Sequence, residues 1–142
     1  MRTRWMLGAA MLALAALPAQ AQDKRDVKIG FVTTFTGPQA VVGNDMRDAF
    51  ELALDHLGRK MGGLDVTMIY EDDTLKPDVG KQKTDKLIQA DRVNFLTGYM
   101  MSHVLLASYK SAVDSETFII SANAGPSQIA GDLCSPWFFS TS

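Results

Sequence analysis

The side chains that could do chemistry in this chain are few and scattered. Ser102 follows Phe95-Leu96-Thr97-Gly98-Tyr99-Met100-Met101 and opens a stretch with helical spacing. A serine hydroxyl there, beside the free N–H groups of a first helical turn, could hold a carboxylate. It reads equally as a plain N-cap. Ser121-Ala122-Asn123-Ala124-Gly125-Pro126-Ser127 is a run of small residues that lets backbone approach a ligand, or else a turn into a helix starting at Pro126. Met100 and Met101 could line a pocket or fill a core. Asp72 and Asp73 close an apolar run, where an acid could meet a ribose. However, Gly37 and Gly43 stand six apart, with no G-x-G-x-x-G and no G-K-[ST]. The two acids therefore read as caps and solvated loop charge.

Catalysis and metal binding find little support. His56 and His103 share no ligand spacing, and no cluster of His, Cys, Asp and Glu accompanies them. They read as surface or packing histidines. Cys134 is the sole cysteine, so no internal disulfide can form. It has no base in its sequence context and is expected to be buried or bonded to polypeptide outside this chain. Lys81, Lys83 and Lys86 read as a solvated helix face. A secreted α/β enzyme would need a nucleophile with its base or a metal cluster, and neither is present. The expectation is a protein without catalysis, cofactor or metal.

The elements that must position these residues alternate. Val27–Thr34 (VKIGFVTT) is apolar and β-rich. A helix follows from about Val42, with Val42, Met46, Ala49, Phe50, Ala53 and Leu57 spaced as one apolar face. Gly58, Gly62 and Gly63 end it. Leu64–Tyr70 is a second strand. Pro77 sits near the first position of a second helix running to about Ala90, with a thin apolar face of Val79, Leu87 and Ile88. Val93–Thr97 is a third strand, Ser102 to about Val113 a third helix, and Thr117–Ser121 a fourth strand. Phe138 and Phe139 could open a fifth. This order predicts a parallel sheet covered on both faces, with right-handed crossovers. In such sheets ligands bind beyond the carboxyl ends of the strands. That singles out Thr33–Gly43, Glu71–Pro77, Gly98–His103 and Ser121–Ser127.

The amino terminus reads as an export signal. Arg2 and Arg4 precede an uncharged apolar run of 13 residues, Trp5–Leu17, and Ala19-Gln20-Ala21 supplies a small–x–small cleavage pattern. That run is shorter than the roughly 18 residues of a membrane-spanning helix. Residues 1–21 are thus expected to be removed, leaving a periplasmic protein that starts near Gln22. Residues 22–142 carry twelve basic and sixteen acidic side chains, a net charge of −4. Such a balance argues against nucleic acid or an anionic membrane surface as partner. Trp137–Ser142 looks like a strand entering a core, so residues 22–142 read as an incomplete domain, with a naturally short domain as the alternative.

Taken in order, DVKIGFVTTFTGP, Gly43, YEDD with Pro77, FLTGYMMS and FIISANAG with its PSQIAG continuation resemble one family. They are similar to the N-terminal lobe of periplasmic type I solute-binding proteins of the leucine/isoleucine/valine-binding family, across the whole mature segment. The resemblance implies a three-layer α/β lobe with a parallel sheet, one of two lobes that close on a small ligand. It further implies delivery to the membrane permease of an ABC importer by a monomeric receptor. Ser102 falls where the family places a serine hydroxyl on the ligand carboxylate. Ala124 and Gly125 fall where backbone and a threonine hydroxyl complete that site, with Gly125 replacing the threonine. Val42 falls where a tyrosine often lies over the ligand. Leu75 and Met101 occupy places where some members carry a disulfide, so an apolar contact is expected there. Asn123, Tyr99 and Met100 would offer a partly aromatic and apolar wall. Ser102 is retained, so the resemblance implies a small carboxylate, either a branched-chain or aliphatic amino acid or an aromatic or other organic acid, and the departures speak against an ordinary amino acid. The alternative on the same fold is the ligand-binding ectodomain of a sensor or chemoreceptor.

Overall fold

Val27–Thr33 forms β1, and its side chains alternate between two apolar layers. Ile29 and Phe31 face one layer, where Phe31 meets Phe50 edge-on with 5.6 Å between ring centroids. Gly30 and Val32 face the other, and a Cβ on Gly30 would lie 2.8 Å from Leu87 Cδ1. A strand covered on both sides needs apolar residues at successive positions, which this segment supplies. The computed structural model describes residues 26–141. The expected signal segment 1–21 and its cleavage site lie outside the described residues.

The further elements are α1 (Ala40–His56), β2 (Lys60–Met61), β3 (Leu64–Asp72), α2 (Pro77–Lys86), a π-helical turn (Leu87–Asp91), β4 (Phe95–Gly98), α3 (Ser102–Asp114), β5 (Phe118–Ser121), α4 (Ser127–Ala130) and β6 (Phe138–Ser140). The sheet runs β2-β3-β1-β4-β5-β6. β1 lies parallel between β3 and β4, and β5 and β6 extend the sheet in parallel. The expected α/β lobe is present, with one difference at its edge. β2 pairs antiparallel with β3, Lys60 opposite Asp65. The turn between them is Gly62-Gly63, both at positive φ. A two-residue strand carries no periodicity, so glycine alone marks this place in the sequence.

The helix layers also differ from the apolar pattern. α1 meets the sheet through Gly43, Phe50 and Leu54. A Cβ on Gly43 would lie 2.0 Å from the Thr34 carbonyl oxygen, so only glycine lets the helix start there. The face expected to be the core face is largely open: Val42 is 43% and Leu57 61% exposed. Met46, Ala49, Phe50 and Ala53 instead line a groove of about 310 Å³ with Phe31, Ala122 and Asn123. On the other side, α2 approaches α3 through Gly80 and Thr84, both buried. A Cβ on Gly80 would lie 2.4 Å from Val104 Cγ1. The apolar face of α2 reads as thin because small residues make the contact. The larger core gathers Val32, Leu87, Leu96, Tyr99, Val104, Leu105 and Ile119 on this side.

Candidate ligand-binding loops

Three loops leave the carboxyl ends of β1, β4 and β5, and hydrogen bonds between neighbouring segments fix them. The first is held by two adjacent carboxylates at the end of β3. Asp72 Oδ1 accepts the Phe35 amide at 3.0 Å and the Thr74 amide at 2.8 Å, while its Oδ2 accepts the Thr36 hydroxyl at 2.7 Å. Burial pushes the Asp72 carboxyl up, but those donors outweigh it and hold the group below its ordinary value. Asp73 is fully buried; its Oδ1 accepts the Thr34 hydroxyl at 2.6 Å and the Leu75 amide at 2.8 Å. Asp73 is thus not the solvated loop charge expected from sequence. Strand register places these acids beside Thr33 and Thr34, where hydroxyl and amide donors await them.

The second loop begins with two left-handed residues, Gly98 at φ +96 and Tyr99 at φ +51. A Cβ on Gly98 would lie 2.3 Å from the Val32 carbonyl oxygen, the same oxygen that accepts the Tyr99 amide at 2.6 Å. The Tyr99 carbonyl accepts the Ala124 amide at 3.2 Å, and the Met100 carbonyl accepts Asn123 Nδ2 at 2.7 Å. The second loop is thereby tied to β1 on one side and to the third loop on the other. Within the third loop the Ser121 hydroxyl donates to the Ala124 carbonyl.

Ser102 follows at once as the first residue of α3. The residue preceding the helix is Met101, in extended conformation, and no side chain caps the helix. The Ser102 side chain is therefore not the N-cap that the simpler reading allowed. Its residue is exposed, and its hydroxyl forms no hydrogen bond to a described residue. At the first helical positions, the amides of Ser102 and His103 have no preceding turn to receive them. Hydroxyl, amides and the positive end of the helix dipole sit together at the mouth of the loops, an arrangement suited to a carboxylate.

The other expected site residues separate into two groups. Asn123 is brought against the Met100 backbone, and Gly125 is exposed beside it on the third loop. Val42 stands on the first turn of α1. Two side chains do not form the expected wall. Tyr99 is fully buried, and its hydroxyl shares a 2.8 Å hydrogen bond with Thr84 Oγ1 on α2. Burial pushes its phenol above the ordinary value, so it stays neutral. Met100 is 4% exposed and serves as core. A left-handed backbone at Tyr99 turns the ring inward, which no side-chain pattern announces. Ala124 offers no free backbone polar group, since both its amide and its carbonyl are used within the loops. Cys134 is exposed rather than buried. Its groove, about 300 Å³, is also lined by Gly125, Pro126, Ile129 and Phe138. Among the described residues no group of three or more His, Cys, Asp or Glu could hold a metal ion, and no helix is long and apolar enough to cross a membrane.

A family model described as periplasmic binding protein matches residues 26–142. The Leu/Ile/Val-binding protein homolog 2 of Brucella abortus is 27% identical over 140 residues, which cover 97% of this chain and 34% of that protein. Among solved structures, an ABC transporter substrate-binding protein from Sphaerobacter thermophilus is 34% identical with a TM-score of 0.77, over 82% of this chain and 32% of that one. An R. palustris ABC transporter solute binding protein in complex with benzoate is 30% identical with a TM-score of 0.79, over 83% of this chain and 33% of that one. The chain spans about a third of the length of each. A family match across all the described residues, on a fold shared with solved relatives, carries one conclusion: the chain belongs to the periplasmic binding protein family, among its type I, leucine-binding members.

Proposed function

We propose that this chain is the N-terminal lobe of the receptor of an ABC importer. The receptor captures a small carboxylate between two lobes and hands it to a membrane permease, with no catalysis and no cofactor. It works as a monomer in the periplasm after cleavage near Ala21. One observation supports the carboxylate above the rest: the exposed, uncapped Ser102 hydroxyl at the free N-terminus of α3. The relatives suggest two ligand classes. The Brucella protein is described as Leu/Ile/Val-binding, and the R. palustris structure holds benzoate. Both ligands present a carboxylate, which is the part Ser102 would hold. The remaining candidates near that carboxylate are Asn123 and Gly125 on the third loop, with Val42 across the first.

The test is isothermal titration of the mature full-length polypeptide with isoleucine and with benzoate. Binding of either is expected, and so is weakening by about 1–3 kcal/mol in Ser102→Ala, the cost of leaving a charged group short of a partner. Silence toward both probes would reject the carboxylate reading. Binding that Ser102→Ala leaves unchanged would reject the site.

A further inference from the structure

We infer that Tyr99 is a positioning residue, anchoring the β4–α3 loop from below so that Ser102 and the first amides of α3 point into the ligand cleft. Its functional half rests on the carboxylate site proposed above; its structural half does not. The residue is an unusual place for a tyrosine. Its backbone is left-handed, at φ +51, in a region that non-glycine side chains seldom occupy. Glycine precedes it at φ +96, and no larger residue fits there. Such a conformation persists only where the surroundings over-determine it.

The surroundings do so from three directions. The Tyr99 amide donates to the Val32 carbonyl at 2.6 Å, its carbonyl accepts the Ala124 amide at 3.2 Å, and its hydroxyl bonds Thr84 at 2.8 Å. Both side chains of the last pair are fully buried. The left-handed backbone sends the ring inward against Thr84 of α2; Met100 stays buried, Met101 is half-buried against the same core, and the chain first reaches the exposed side at Ser102. Three residues further on stands Ser102. The tyrosine hydroxyl thereby connects α2 to the loop that aims the binding group.

The reporters are the amides of Tyr99, Val104, Leu105 and Ala124, whose acceptors are Val32, Met101, Met101 and Tyr99. Hydrogen exchange would be followed in the mature full-length polypeptide as wild type, Tyr99→Phe and Tyr99→Phe/Thr84→Val. Loss of one buried hydrogen bond is expected to speed exchange at these four amides about tenfold, while β1 amides hold their rates. Thr84→Val removes the orphaned partner and is expected to restore the melting temperature of the single variant. It is not expected to restore the four amides, nor affinity for whichever of isoleucine or benzoate binds, which should stay about five- to tenfold weaker. Unchanged exchange in Tyr99→Phe would overturn the inference. So would recovery of exchange and affinity together with stability, because the bond would then be structural alone. If wild type binds neither probe, the carboxylate reading falls, and the exchange comparison still decides whether Tyr99 anchors the loop.

Discussion

At the scale of single residues, the acids at the end of β3 show how a short motif is used. Glu71 receives Lys83 at 2.7 Å and Lys86 at 2.6 Å from α2. Asp72 and Asp73 turn the other way, onto the loop after β1. The Asp72 carboxyl lies below its ordinary value in the folded state. Its contribution to stability is therefore complete above the unfolded aspartate value, about 3.9, and is lost as pH falls through the lower folded value. Asp72→Asn is expected to remove that acid-side loss and to speed exchange at the Phe35 and Thr74 amides. Equal acid denaturation profiles for wild type and variant would show that the carboxylate does not carry the loop.

At the scale of elements, close backbone approaches decide where loops and helices begin. Gly98→Ala would place a Cβ against the Val32 carbonyl and force alanine into a left-handed conformation. A loss of about 2–4 kcal/mol in urea denaturation is expected, the sum of overpacking and backbone strain. A loss below about 0.5 kcal/mol would mean that the loop relaxes freely. The elements themselves were largely legible: β1, α1, α3 and β5 agree with their expected spans to within two residues or so. Their apolar spacing is dense enough to reveal the period. Less legible was what the elements do with their faces. α1 shows its most regular apolar stripe to a groove and meets the sheet through Gly43, Phe50 and Leu54. α2 packs through Gly80 and Thr84, which carry little hydrophobic signal. The position of Ser102 at the start of a helix was legible from its place between strand and helix, and it is the first residue of α3. The inward turn of Tyr99 was not, because it depends on a backbone conformation and on Thr84, fifteen positions away.

At the scale of the whole molecule, the two sides of the sheet are unequally covered. α2 and α3 pack over the larger core, whereas α1 stands alone over β1 and β3 among the described residues. Beside it, Ile29, Phe50, Met61, Phe95 and Ile120 line a second apolar groove. Phe139 and Ile120 are 53% and 37% exposed. Relatives are about three times as long; in the two-lobed receptor proposed above, polypeptide of the second lobe would cover these grooves. Residues 22–142 expressed alone should bind the dye ANS strongly, while the mature full-length polypeptide should not. Weak dye binding by the short form would show that this face needs no cover.

The β2–β3 hairpin has a consequence in time. Among the described residues it is the only adjacent strand pair joined by a two-residue turn, and hairpins of that kind close in microseconds. Each parallel pair joins segments separated by a crossover and must wait for a costlier loop closure. β3 is therefore expected to acquire a short, lysine-bearing neighbour on its outer side before β1 arrives on its inner side. While the chain is still finding its shape, the first two residues of β3, Leu64 and Asp65, are already paired on their outer side, and a second unfolded chain has fewer open backbone groups there on which to dock.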